Sequence, residues 1–219
     1  MKPISVGLVG LGTVAQGTLS ILKSNGDELA RRIGREIRIV HVGARRDRDG
    51  VDLSGYRVSR DLMKVALDSE VDIFVELIGG TDYARDLIET AIESGKHVIT
   101  ANKALIALHG NALFKKAQAR GVTISFEASV AGGIPVIKAL REGLAANQIF
   151  WLAGIINGTG NFILTEMRDR ARTFPDVLAE AQSLGYAEAD PTFDVEGIDA
   201  AHKLCILASI AFGIPLNFD

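Results

Sequence analysis

Five acidic side chains, Glu188, Asp190, Asp194, Glu196 and Asp199, fall within twelve residues of the segment GYAEADPTFDVEGIDAAHK, which ends on Lys203. Asp199 and Lys203 stand four apart at the start of an expected helix, so they share one face. That spacing suits a polar site, but it equally suits a surface ion pair worth about 0.3–0.5 kcal/mol. A divalent-metal loop fits less well, because Lys203 would repel the ion and the acids lack the EF-hand order. Spacing alone does not choose among these. A second lysine, Lys103, follows Asn102 in VITANKALIA, just past the C-terminal end of an expected strand. Open α/β sheets bind ligands at that edge. A lysine there donates to a substrate oxygen or moves a proton, unless it merely starts a helix in solvent.

The third candidate is GLVGLGTVAQGTL, residues 7–19, with Gly10-x-Gly12-x-x-Ala15 set between an expected strand and an expected helix. Gly10 permits a tight turn, Gly12 lets the backbone approach a pyrophosphate, and position 15 needs only a small side chain. The helix start at Thr13 and Val14 offers N–H groups and a positive dipole end to the phosphates. The other reading is a plain strand-to-helix turn. After the second expected strand the chain reads HVGARRDRDG, so Arg45 and Arg46 precede the first acid, Asp47. Arginines at that point bind the 2′-phosphate of NADP, whereas a carboxylate holds the ribose of NAD. The expected cofactor is NADP, with NAD also accepted. Thr100, in the fourth expected strand, joins the cofactor candidates.

The elements that must position these residues alternate. Strands are expected at Ile4–Val9, 36–44, 71–80, 97–103 and 122–129, with helices at Thr13–Lys23, 61–69, 84–96 and 105–121. This alternation predicts an α/β fold, a Rossmann-type doubly wound parallel sheet. After AGGIP the pattern changes to a helix at 136–143, one strand near Ile149–Ile156, helices at 160–172 and 175–184, an acidic loop, and a helix at 200–213. The expected domains are therefore 1–133 for the nucleotide and 134–219, a partial α+β domain for substrate and dimerisation. With 47% hydrophobic and 23% charged residues among 219, the chain can bury a sizeable core. A net charge of −3 with scattered basic residues gives no electrostatic footprint for nucleic acid. The N-terminus does not read as a signal peptide, and no uncharged apolar run reaches membrane-spanning length. One cysteine, Cys205, suits a reducing cytoplasm.

GLVGLGTVAQG, TANKALIA, EASVAGGIPVI, INGTGNFIL and AQSLGYAEADPTFDVEGIDAAHKL together resemble homoserine dehydrogenase, in order and along essentially the whole chain. The last segment is specific to that family, while the first is shared with many nucleotide-binding proteins. The resemblance implies interconversion of L-homoserine and L-aspartate 4-semialdehyde with NADP or NAD, on the route to threonine and methionine. It implies Lys203 as the catalytic acid/base and Lys103 as a second lysine near cofactor and substrate. Glu188 and Asp199 would bind the substrate amino group or order the site around it, with Asp194 a further acid. Gly158 and Thr159 would line the substrate pocket. Glu127, with the carbonyls of Val130, Gly132 and Ile134, would hold a monovalent cation, expected to be sodium. A homodimer is expected from the same likeness. Family members typically continue for another hundred residues or more, so the second domain is expected to be truncated here. Alternatives are an NADP-binding module without turnover and a related dehydrogenase of an amino-acid aldehyde.

Overall fold

A computed structural model describes residues 1–218. The chain divides into two compact units, one ending at Gly132 and one starting at Gly133. The first unit is built on β1 (Ile4–Val9), β2 (Ile37–Gly43), β3 (Arg57–Ser59), β4 (Ile73–Glu76), β5 (His97–Thr100) and β6 (Ile124–Ser125). All six strands pair in parallel, in the order β3-β2-β1-β4-β5-β6. The crossovers carry α1 (Thr13–Ile33), α2 (Met63–Leu67), α3 (Asp82–Glu93) and α4 (Lys103–Arg120). This is the expected Rossmann-type α/β sheet. β-Branched and other apolar residues form the buried strands, and Leu8, Val42 and Phe74 are wholly buried.

The differences from expectation are local. β3 is an added strand, only three residues long with one apolar residue, and no alternation marks it in the sequence. It is fastened to β2 through His41, whose Nδ1 lies 2.6 Å from Asp68 Oδ2 and whose Nε2 lies 2.7 Å from Ser59 Oγ. Helix α1 runs past Lys23 to Ile33, through a Ser-Asn-Gly stretch that resembles a stop. Glu28 pairs with Arg31 and Arg32 on its outer face, and the true stop is Gly34 at φ 76°. β4 ends at Glu76 rather than Gly80, because Gly79 and Gly80 adopt φ of 75° and 73° and leave the ladder. The last strand keeps only Ile124–Ser125, and the chain then coils into a 3₁₀ turn at Glu127–Ser129.

The second unit consists of α5 (Val136–Lys138, continued as a π-turn to Gly143), α6 (Gly158–Arg170), α7 (Phe174–Ser183), α8 (Thr192–Val195) and α9 (Ile198–Phe212). The strand expected near Ile149–Ile156 is not formed, so the described residues of this unit carry no β layer. The segment is a near-continuous apolar run, but a ladder needs a neighbouring strand to take up its N–H and C=O groups. Phe150, Trp151 and Ile155 are each more than three-quarters exposed. Val177 and Ala181 of α7 pack with Ile163 of α6 and Ala187 to form a small core.

Candidate active site

In the first unit the glycine turn has the geometry a phosphate requires. Gly10 sits at φ 102°, its N–H donating to Gly43 O at 2.9 Å. A Cβ there would lie 2.5 Å from Leu77 O, so the tight turn excludes every other residue. Gly12 precedes α1, with no side-chain cap and no acid in the first helical turn. The N–H groups of Thr13, Val14 and Ala15 thus open the helix without intrahelical acceptors. Val14 is half exposed, whereas Ala15 is wholly buried among Leu8, Leu19 and Val42, which explains why a small third residue is enough.

A groove of about 760 Å³ opens on this turn, lined by Gly10, Gly12, Arg45, Arg46, Asp47 and the segment from Leu77 to Tyr83. The Arg45 guanidinium lies over the Tyr83 ring, 4.9 Å from its centre. A larger opening of about 1250 Å³ between α1 and β2 has a mixed lining that includes Lys23, Glu36, Arg38 and Asp52. It lacks a helix N-terminus, so it offers phosphates nothing comparable.

The rim of the first groove is held by a residue that sequence reasoning missed. Glu76 is wholly buried; its Oε1 accepts from Ile78 N at 2.8 Å and Gly79 N at 3.1 Å. Its Oε2 accepts from Thr100 Oγ1 at 2.6 Å. Thr100 is itself buried, and its hydroxyl donates to Glu76, so its side chain braces the carboxylate that holds this rim. Asn102 Nδ2 donates to Gly80 O at 2.6 Å, while its Oδ1 accepts from Leu105 N and caps α4. Lys103 is therefore the first residue of α4. A cation at a helix N-terminus opposes the dipole, so helix stability does not account for a lysine there. The visible signal for Glu76 was one acid interrupting the apolar run IFVELI.

In the second unit one amide gathers the acids. Asn157 Nδ2 donates to Asp194 Oδ1 at 2.7 Å and to Asp199 Oδ2 at 2.9 Å. Its Oδ1 accepts from Gly160 N at 2.6 Å and caps α6. Lys203 Nζ donates to Asp199 Oδ2 and to Ile156 O, both at 2.6 Å, with only 18% of its side chain exposed. Asp194, Asp199 and Lys203 are thus brought together, and the missed Asn157 joins them. Its signal was the preference of asparagine for the residue before a helix. We expect Asn157→Ala to destabilise the protein by about 1–3 kcal/mol, through loss of the cap and two carboxylate bonds, read as a lower urea midpoint.

The remaining candidates are placed differently. Thr159 is buried and its hydroxyl donates to Tyr186 O at 2.6 Å, so it anchors the acidic loop; Gly158 opens α6 beside it. Glu188 is exposed, and it is its carbonyl that is held, by Gln182 Nε2 at 3.0 Å. Asp190 accepts from the hydroxyl and the N–H of Thr192, which hold its carboxyl below the usual range and engage it as a loop cap. A cavity of about 590 Å³ is lined by Ile156, Asn157, Gly160, Asp194 and Gly197, so Asp194 is the acid that faces it. Of the cation candidates, Glu127, Val130 and Gly132 lie in the first unit and Ile134 in the second. In the first unit Ala131 holds φ 50°, a left-handed conformation that is strained for alanine.

Comparison with known proteins agrees with these features. A family model described as "Homoserine dehydrogenase, NAD binding domain" matches residues 10–127, and one described as "Homoserine dehydrogenase" matches residues 135–219. The homoserine dehydrogenase of Pseudomonas aeruginosa is 65% identical over 219 residues, covering 100% of this chain and 50% of its own length. That of Neisseria gonorrhoeae is 52% identical over 227 residues, with the same coverage. The crystal structure of a homoserine dehydrogenase from Thiobacillus denitrificans superposes with a TM-score of 0.92 at 60% identity, covering 100% of this chain and 51% of that one. A hyperthermophilic archaeal homoserine dehydrogenase in complex with NADPH gives 0.84 at 28% identity, covering 98% and 71%. The chain spans about half the length of the curated relatives it matches. With family models matched to both units and relatives this similar along its whole length, the chain belongs to the homoserine dehydrogenase family.

Proposed function

We propose that the chain carries the nucleotide unit and catalytic lysine of an NADP-linked homoserine dehydrogenase that interconverts L-homoserine and L-aspartate 4-semialdehyde. The bonded set of Lys203, Asp199, Asn157 and Asp194 is the observation that carries this reading. A bound nicotinamide supplies hydride exchange with the substrate carbon. Lys203 has three N–H groups and commits two, to Asp199 and Ile156 O, which leaves one for a substrate oxygen. In reduction that N–H donates the proton the alkoxide takes up; in oxidation the neutral amine accepts it. Lys103 adds positive charge where negative charge develops. Asp194, Asp199 and Glu188 favour the ammonium of an amino-acid substrate over a simple aldehyde, with Gly158 and Thr159 shaping the pocket.

Gly10, Gly12, Thr13 and Val14 seat the pyrophosphate, and Arg45 with Arg46 favours the 2′-phosphate of NADP, NAD being accepted more weakly. The all-oxygen set of Glu127, Val130, Gly132 and Ile134 suits a hard monovalent cation, which we assign as sodium. A cytoplasmic homodimer serving threonine and methionine synthesis, with no nucleic-acid or membrane partner, completes the reading. No helix among the described residues is long and apolar enough to cross a membrane. The test is steady-state oxidation of L-homoserine by the protein, with NADP and NAD side by side. Turnover with both, faster with NADP, is expected. NADPH binding without turnover would point to a binding module, and turnover of other amino-acid alcohols but not homoserine to a related dehydrogenase.

A further inference from the structure

Asp47 is the first carboxylate after β2, the kind of group that favours the free ribose of NAD and repels a 2′-phosphate. It lines the nucleotide groove beside Arg45 and Arg46, so its charge works against the two arginines. The structure gives it a partner outside that lining. Arg60 Nη2 lies 2.7 Å from both carboxylate oxygens of Asp47, and Arg60 Nη1 donates to Ala44 O at 3.2 Å. Arg60 sits just past β3, so the extra edge strand delivers a guanidinium to the loop that follows β2. Ala44 N in turn donates to Ser59 O at 3.0 Å, which sets Arg60 and this loop in register.

We propose that Arg60 is a positioning residue for coenzyme preference: it holds the Asp47 carboxylate and offsets its charge, so that Arg45 and Arg46 dominate the groove and a 2′-phosphate is favoured. The inference rests on the nucleotide reading above. Without Arg60, Asp47 is released to accept from a ribose 2′-hydroxyl and to oppose a phosphate, which weakens NADP and strengthens NAD. A merely structural role for Arg60 would weaken both coenzymes together.

The experiment is calorimetric titration of NADP and of NAD into the protein, for the native chain, Arg60→Gln, Asp47→Asn and the double variant. For Arg60→Gln the NADP-to-NAD affinity ratio is expected to fall about three- to tenfold, the scale of one partly screened charge. Asp47→Asn leaves the ratio at or above the native value, and Asp47→Asn placed on Arg60→Gln restores it. Arg60→Lys, which keeps the charge but cannot reach both partners in one plane, is the second variant should Arg60→Gln unfold; it shifts the ratio the same way by less. An unchanged ratio in the folded Arg60 variants overturns the proposal, as does a double variant that stays at the Arg60→Gln value. If the native chain binds neither coenzyme, the nucleotide reading itself fails.

Discussion

Replacing Lys203 by alanine is expected to lower kcat for homoserine oxidation by about 10²–10⁴-fold, the range of a lost general acid–base group, with NADPH affinity unchanged. The expectation follows from how the amine is held. Lys203 stands one helical turn after Asp199 on α9 and bonds both its carboxylate and the carbonyl of Ile156, from the segment preceding α6. Two fixed bonds define where the third N–H must lie, which a solvent-exposed lysine could not do. Lys203→Met, which keeps the length of the chain without the charge, separates lost packing from lost chemistry. Lys203→Arg is not expected to rescue, because a guanidinium stays protonated and cannot accept the substrate proton. Alanine and methionine variants that both retain native kcat would remove Lys203 from the reaction. A loss confined to KM would make it a binding group only.

Much of this site was legible in the sequence because local rules determine it. A glycine turn between a strand and a helix needs only neighbours in the chain, and Ile4–Val9 and Gly10–Ala15 fold where their pattern places them. Asp199 and Lys203 share a face because helical spacing requires it. Residues whose roles depend on distant partners were harder to find. Nothing near Glu76 in sequence announces that Thr100, 24 residues on, will bond it, or that its other oxygen will hold the bend at Gly79. Asn157 reaches 37 and 42 residues ahead to Asp194 and Asp199. Thr100 and Thr159 illustrate the converse: each lies in a motif associated with ligands, yet each hydroxyl is turned inward to a protein acceptor. The segment near Ile149–Ile156 has the apolar run of a buried strand without a neighbour to pair with, and local composition cannot supply one. The short β3 went unread for the opposite reason, since pairing with β2 makes a strand of three residues that carry almost no pattern.

Gly10 and Gly12 stand two residues apart in one motif, and their alanine variants are expected to fail in different ways. Gly10→Ala should unfold or severely destabilise the first unit. Its φ of 102° costs alanine about 1–3 kcal/mol, and the forced displacement of Leu77 about 1–3 kcal/mol more. The upper end of that sum reaches the whole stability of a marginal domain, about 5 kcal/mol. Gly12 presents the opposite case. Its φ of −71° is ordinary for any residue, and a Cβ there would meet no protein atom within 4 Å. As the N-cap of α1 it is modestly better as glycine than as alanine, so Gly12→Ala should cost no more than about 1 kcal/mol and leave the fold intact. The space a methyl group would fill is where a pyrophosphate must approach the start of α1, and NADPH affinity is expected to drop at least about tenfold, a loss of roughly 1.4 kcal/mol. Urea denaturation and NADPH fluorescence titration of the two variants separate the effects: Gly10→Ala loses both fold and binding, Gly12→Ala loses binding alone. A Gly12→Ala protein that binds NADPH as tightly as the native chain would mean that the phosphates do not rest on this turn, and the pyrophosphate seat proposed at Gly10–Val14 would be withdrawn.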